Sequence, residues 1–364
     1  MFSFAPSKEQ KMVKDEFAKF VKDMVIDAAH DMDEGGEIPK DVIQKVWELG
    51  ASISMIPEEY GGFGMKDSPV ETCLILEELA YGDMAFAIAA TLPSLFIHPL
   101  AEMGTEEQKK KYLPLYCGEN YVPCTLALHE PHYGFDPTDL KTSAARKNGS
   151  FVLNGKKCFV PMARQSGHLL VAATYEGASN LFIVEGENPG ISISDREKNL
   201  GLNALETHEV TLENCEIPAE DRLGGDAGCD YDRLLQKMRI AISAIGTGIS
   251  RASVEFARNY ALQRVQFGER IAQRQSIAFM LAEMAYEVDA MRLMTWKAAA
   301  LLEAGKDAKR ESYLAKLYAG EMTMKVVDNG VQVLGGHGYI RDYPQERHYR
   351  NGRGISILEA VATL

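Results

Sequence analysis

The hydrophobic period of this chain changes twice, and that alternation limits its fold more than any other feature. Up to about residue 120, apolar residues recur at helical spacing, through Phe17, Phe20, Val21, Met24 and Val25 and again through Val42, Val46 and Leu49, with Gly50 near a helix end. Glu71 to Ala80 begins a more apolar helix, and Met84 to Ala90 is apolar on nearly all sides, as an internal helix is. From Tyr121 the character changes. Val122 to Leu128, Phe151 to Leu153, His168 to Thr174, Asn180 to Val184, Gly190 to Ser194 and His208 to Leu212 are short and rich in strand formers. Turn pairs such as Asn148-Gly149, Asn154-Gly155 and Pro189-Gly190 separate them. That spacing predicts an antiparallel barrel or sandwich of about a hundred residues. After Pro218 long helical stripes return, one through Ile277, Met280, Leu281, Met284, Val288, Met291 and Met294 and another through Leu314, Leu317, Met322, Val326, Val327, Val331 and Leu334. Such helices form bundles, and the methionine-rich stripe suits either a core or a subunit interface.

The expected architecture is therefore multi-domain α+β, with a helical N-terminal domain at 1–120, a central β domain at 121–226 and a C-terminal helical bundle at 227–364. With 364 residues, 46% of them hydrophobic, the chain has apolar surface for more than one core. Its formal net charge of -13 argues against a nucleic-acid partner, because backbone binding needs clustered Lys and Arg. The densest basic run, Lys109-Lys110-Lys111, follows Glu106-Glu107 and reads as a solvated helix face. Cysteines 73, 117, 124, 158, 215 and 229 show no C-x-x-C spacing and no signal peptide pattern precedes them, so a reduced, cytoplasmic compartment is expected. The longest apolar stretch, Met84 to Ile97, is broken by Thr91, Pro93 and Ser94 and is shorter than the roughly 20 residues that span a bilayer. No membrane span is expected.

Chemistry concentrates near the C-terminal end. Gln332 to Arg350 contains Gly335-Gly336-His337-Gly338, and Glu359 follows nine residues after Arg350. Glycines 335, 336 and 338 allow a ligand to approach the backbone, although a helix C-cap accounts for the same residues. A Rossmann fingerprint is excluded because a helix, not a strand, precedes them. Glu359 sits among Ile357, Leu358, Ala360 and Val361, where a carboxylate is poorly solvated and can serve as a proton-abstracting base; a surface glutamate near a frayed end is the plainer reading. His129-Glu-Pro-His132 does not read as a metal site, since its histidines are three apart across a proline and lack a further ligand cluster. Neither a G-x-S-x-G elbow nor a cysteine nucleophile setting is present.

Eight motifs then fall in order: Pro57-Glu-Glu-Tyr-Gly-Gly-Phe-Gly64, Glu77-Glu-Leu-Ala80, Gly104-Thr-Glu-Glu-Gln-Lys109, Glu130-Pro-His-Tyr-Gly-Phe-Asp136, Asn154-Gly-Lys-Lys157, Arg264-Val-Gln-Phe-Gly268, Gln275 to Met284, and Gln332 to Glu359. Together they resemble the acyl-CoA dehydrogenase family over essentially the whole chain. The resemblance implies three domains, with FAD wedged between the β domain, the bundle and a neighbouring subunit of a homotetramer or heterotetramer. It also implies α,β-desaturation of an acyl-CoA, in which a glutamate removes the α-proton and the β-hydrogen leaves as hydride to flavin N5. Electrons then pass to an electron-transfer flavoprotein.

Carried over residue by residue, the resemblance places Glu359 at the base position. The alternative base position of some relatives is Met238 here, which cannot take a proton. Arg239 matches a position near the thioester entrance, and a helix salt bridge is an equal reading. Arg264 and Phe267 match contacts to the FAD diphosphate and adenine side, Gln275 and Gln332 contacts to its adenosine half, and Gly335 and Gly336 the close backbone approach. Leu128, His129, Gly134, Phe135, Phe159 and Pro161 stand at flavin-contacting positions. Several depart from the family's usual residues: His129 replaces a threonine, Gly134-Phe135-Asp136 a Gly-Ser-Asp, Phe159-Val160-Pro161 a tryptophan, a small apolar residue and a threonine, and Ala360-Val361 a Gly-Thr pair. Proline has neither hydroxyl nor amide hydrogen, and valine has no hydroxyl. These departures keep open two other readings, a flavin-poor or inactive partner subunit of a heteromeric dehydrogenase and a CoA-thioester-binding module without redox chemistry.

Overall fold

In a computed structural model, which describes residues 5–65 and 67–364, the N-terminal region is built from α1 (Lys8–Phe20), α2 (Ala29–Gly35), α3 (Lys40–Glu48), α4 (Pro69–Gly82), α5 (Met84–Thr91), α6 (Ser94–Met103) and α7 (Glu106–Tyr112). Side chains set where several of these begin. Ser7 with Gln10 and Thr105 with Gln108 form capping boxes ahead of α1 and α7, each satisfying two end-of-helix amides. Asp83 accepts from the Phe86 amide at the start of α5. Every residue of α5 is buried, as its uniformly apolar sequence requires. The stretch Met84–Met103 has the length and mean hydropathy, 1.6, of a membrane span, yet 94% of it is buried inside the protein.

Seven strands follow: β1 (Thr125–Ala127), β2 (Ser143–Lys147), β3 (Ser150–Pro161), β4 (His168–Tyr175), β5 (Ala178–Glu185), β6 (Ile191–Arg196) and β7 (Thr207–Pro218). They form one curled sheet in the order β1-β4-β2-β3-β7-β6, with β5 on β4. The expected central β domain is present, as a mixed sheet in which most pairings are antiparallel. Hairpin neighbours pair antiparallel, but β1 runs parallel to β4, with Thr125 opposite Leu169, and β2 meets the end of β4 in parallel at Ser143 and Thr174. Turn residues announce only the hairpins they close, and the β1–β4 pairing is non-local. Asn148 (φ 49) and Gly149 (φ 84) do form the expected turn between β2 and β3. Asn154-Gly155 does not: it is a bulge inside the long strand β3, where the register against β7 shifts. The unforeseen strand β2 exposes four of its five residues, so its sequence carries no hydrophobic alternation.

β4 and β5 explain how the sheet joins the helices. Leu169, Val171, Phe182 and Val184 pack into a core on one side of the sheet, while Leu170, Ala172, Leu181 and Ile183 pack with Phe96, Leu126 and Met238 on the other. With both faces covered, these strands read as continuous apolar runs.

The C-terminal region consists of α8 (Tyr231–Gln263), the short hairpin β8 (Val265–Gln266) and β9 (Glu269–Arg270), α9 (Gln275–Glu303), α10 (Lys309–Leu334) and α11 (Gln345–Gly352). α8 is central and touches α4, α9 and α10. Small residues make these contacts close: a Cβ on Gly248 would meet the Glu77 carbonyl oxygen at 2.4 Å. Val326, Val327 and Leu334 of the expected α10 stripe are buried, while its N-terminal half differs for the same reason. Ala315, Ala319, Gly320 and Thr323 face inward, whereas Leu317 is 56% exposed.

Candidate functional site

The segment bearing Glu359 is anchored first by arginine. Arg350 on α11 reaches Asp33 of α2 at 2.6 Å and Glu346 at 2.6 Å, so the turn that follows is tied to the N-terminal helices. Leu358 and Val361 then enter the main helical core and Ala360 enters the helix–sheet core, which leaves the Glu359 side chain 12% exposed. One of its oxygens, Oε1, accepts a hydrogen bond from Lys316 Nζ on α10, and that ammonium is itself only 13% exposed. The other oxygen, Oε2, is buried without a hydrogen-bond partner among the described residues. The expected poor solvation of this carboxylate is present, together with a cation that the local sequence did not suggest.

Around Glu359 stand residues from three elements. His129, from the loop after β1, places Nε2 3.1 Å from the Ile357 carbonyl, packs tilted against Phe135 with centroids 4.2 Å apart and meets Phe159 edge-on at 5.5 Å. Burial holds this imidazole below its ordinary range, which favours the neutral ring. From α8, Tyr231 donates to the Pro137 carbonyl at 2.7 Å, and Arg239 lies over the Tyr313 ring of α10 at 5.3 Å, its Nε lacking a partner among the described residues. Arg239 therefore makes a cation–π contact here and no ion pair among the described residues. Met238, at the alternative base position, is fully buried in the core.

The strand side is organised by a buried ion pair. Lys157 on β3 donates to Glu130 Oε1 at 2.8 Å and to the Leu128 carbonyl at 3.1 Å, while Glu130 also accepts from the amides of Lys141 and Thr142. Beyond Lys157 the strand bulges, and Phe159 adopts φ 51 with its amide donating to the Glu197 carboxylate at 3.1 Å. Pro161 has no amide hydrogen. The Phe159 amide is thus already engaged, and the Leu128 side chain is buried in the helix–sheet core. Gly134 (φ 70) has open space where a side chain would stand.

The remaining expected residues meet elsewhere. Arg264, Phe267, Gln332, Gly335 and Gly336 line a cleft of about 530 Å³ together with Tyr260, Arg274 and Ser276. Its walls come from α8, α9, α10 and the β8–β9 hairpin. Gln275 begins α9 beside the cleft, but Ser276 and Ile277 supply the lining from that turn. Phe267, at the hairpin tip, is 92% exposed. α10 ends at Leu334, and Gly335 turns the chain at φ 59, so the helix cap and the cradle are the same glycine. None of Leu128, His129, Gly134, Phe135, Phe159 or Pro161 lines this cleft. One chain therefore carries the expected set as two separate groups.

The cleft fits a phosphorylated dinucleotide. Arg264 has no ion-pair partner among the described residues, an added Cβ at Gly335 or Gly336 would meet nothing within 4 Å, and an exposed aromatic stands beside them. The group around Phe159 fits less fully, because its one aromatic-flanked amide is spent on Glu197. Sequence reading missed Lys316, Glu197, Tyr260 and Tyr231. Each is an ordinary polar residue in an ordinary pattern, and only the fold brings it to these sites.

Helical regions on either side of a curled mixed sheet, with a carboxylate at the junction and a dinucleotide-suited cleft on the bundle, define a class of flavoprotein oxidoreductase. The chain matches the N-terminal, middle and C-terminal domains of acyl-CoA dehydrogenases over residues 7–119, 125–215 and 231–359. It is 34% identical over 363 residues to an acyl-CoA dehydrogenase of Bacillus subtilis, covering 98% of this chain and 95% of that one. Its structure is similar to butyryl-CoA dehydrogenase from Megasphaera elsdenii, with a TM-score of 0.88, 30% identity and coverage of 100% and 96%. A glutaryl-coenzyme A dehydrogenase in complex with glutaryl-CoA gives a TM-score of 0.89 at 30% identity, covering 98% and 93%. The chain belongs to the acyl-CoA dehydrogenase family, whose members are FAD-dependent oxidoreductases.

Proposed function

We propose that this protein desaturates an acyl-CoA thioester between its α and β carbons, with Glu359 as the base, and that its electrons leave to an electron-transfer flavoprotein. The observation that carries the reading is the buried Oε2 of Glu359, without a partner among the described residues, at the junction of the sheet, α8 and α10. An α-proton of a thioester is a weak acid, so its removal needs a base kept from water and positive charge close to where the enolate forms. Glu359 supplies the first; Lys316 is the cation in contact with it, and Arg239 lies on the Tyr313 ring one turn before Lys316 on α10. The neutral His129 ring, packed on Phe135 and Phe159, closes the site toward the sheet and helps exclude water.

When bound, FAD supplies the hydride acceptor. Arg264, Gln332, Gly335 and Gly336 would hold its diphosphate and adenosine portion, and Gly134, Phe135 and Phe159 would face its ring. Because these groups lie apart in one chain, the reading implies that a neighbouring subunit completes each site.

A second reading is favoured by one specific observation. The Phe159 amide is engaged by Glu197 and Pro161 offers no donor, so this chain can be the flavin-poor partner in a heteromeric dehydrogenase. The spectrum of the purified protein separates the two. Yellow protein whose flavin bleaches anaerobically with an acyl-CoA supports the first reading, with Glu359→Gln keeping the flavin and abolishing the bleaching. Colourless protein that gains flavin only when co-produced with a related subunit supports the second. Full turnover in Glu359→Gln would remove the base assignment.

A further inference from the structure

The reading of Glu359 as the base leaves Lys316 unexplained. Lys316 lies on α10 one turn beyond Tyr313, the residue whose ring carries Arg239. Its ammonium is nearly as shielded as the carboxylate it binds, at 13% against 12% exposure, so this is no solvated surface pair. It engages one carboxylate oxygen and leaves the other without a partner among the described residues. His129 from the loop after β1 and Tyr231 of α8 interact electrostatically with Glu359, and Arg239 of α8 lies on the Tyr313 ring one turn before Lys316.

We propose that Lys316 is the positioning residue of the base. It fixes Oε1 of Glu359 and leaves Oε2, which has no partner among the described residues, aimed to accept the proton. This rests on the reading of Glu359 as the base. In the step concerned, the α-carbon–hydrogen bond breaks and the proton goes to Oε2. The bonding electron pair moves to the thioester oxygen. Negative charge thus leaves the carboxylate and appears on the substrate, while the ammonium keeps its single positive charge. A shielded ammonium in contact with the carboxylate keeps Glu359 ionised and fixes its orientation, so the base is charged and aimed before the substrate arrives.

The test uses proton exchange, which needs the base but no electron acceptor. The purified holoenzyme is incubated anaerobically in D2O with butyryl-CoA or octanoyl-CoA, and deuterium incorporation at the α-carbon is followed by mass spectrometry, with thioester affinity measured by calorimetry. Lys316→Met is expected to slow exchange roughly 100-fold, the scale of loss when a reacting group is displaced by about 1 Å, while leaving affinity within about twofold. Lys316→Arg is expected to recover much of the rate, and Lys316→Gln serves as a second neutral variant should the methionine not fold. Exchange in both neutral variants at the parent rate overturns the role of Lys316 and leaves Glu359 intact as base. Loss of exchange in step with loss of affinity also overturns it, by making Lys316 a binding residue. Absence of exchange in the parent protein with a thioester that binds removes the base reading itself.

Discussion

Lys157 Nζ lies 2.8 Å from Glu130 Oε1, with neither side chain reaching solvent by more than 2%. The pair ties the loop carrying His129 to the strand carrying Phe159, and so sets the sheet wall of the site.

Breaking that pair from one side strands a buried charge. Burial alone would raise the Glu130 carboxyl, but Lys157 and the Thr142 and Lys141 hydrogen bonds outweigh it and hold the group down at about 2. Lys157→Met is expected to destabilise the fold by about 3–5 kcal/mol, and the Lys157→Met/Glu130→Gln double variant to recover most of that. Urea unfolding of both variants measures the difference; equal losses in single and double variants would contradict the account.

Acid sensitivity should come from two buried histidines. Burial, aided by the Lys237 ammonium, pushes His98 down to about 4, and burial with Arg347 pushes His348 down to about 3. The unfolded chain takes up a proton on each near pH 6.5, while the folded chain does not until much lower pH, so stability is lost as pH falls below about 6.5. Between pH 7 and 5 each histidine accounts for up to about 2 kcal/mol. Replacing His348 by Gln should flatten the decline of the urea midpoint over that interval, and an unchanged slope would count against it.

The cleft on the bundle predicts a cofactor phenotype separate from catalysis. Arg264→Gln should weaken FAD retention roughly 10- to 100-fold, as expected for a lost charge-assisted hydrogen bond, without lowering the melting temperature of flavin-free protein. Flavin-to-protein ratio after gel filtration reads this directly. A variant that keeps its flavin fully would place the diphosphate elsewhere.

The α4–α8 contact has no room for a side chain. In Gly248→Val the new Cβ would lie 2.4 Å from the Glu77 carbonyl oxygen and 2.9 Å from the Ala80 Cβ, so the two helices must separate. A loss of roughly 1–3 kcal/mol is expected in spite of the better helix propensity, and thermal unfolding would reveal it.

The amino-acid sequence by itself determined the alternation of helical and strand regions, the apolar interior position of Met84 to Ala90, the turn at Asn148-Gly149 and the ordered motifs that identify the family. All of these depend on periodicity, turn chemistry or residue identity within a few positions. Asn154-Gly155 shows the limit: the same dipeptide chemistry that closes a hairpin at one place accommodates a bulge at another, depending on what pairs across it. Only the tertiary structure decided that β1 runs parallel to β4, that the small side chains of α10 face inward, and that the expected cofactor residues divide into two groups. It also decided that Glu359 meets Lys316, 43 positions earlier in the chain. Such a contact is fixed by how α10 packs on α8 and how Arg350 returns the chain to α2. Neither residue's neighbours in sequence carry any trace of it.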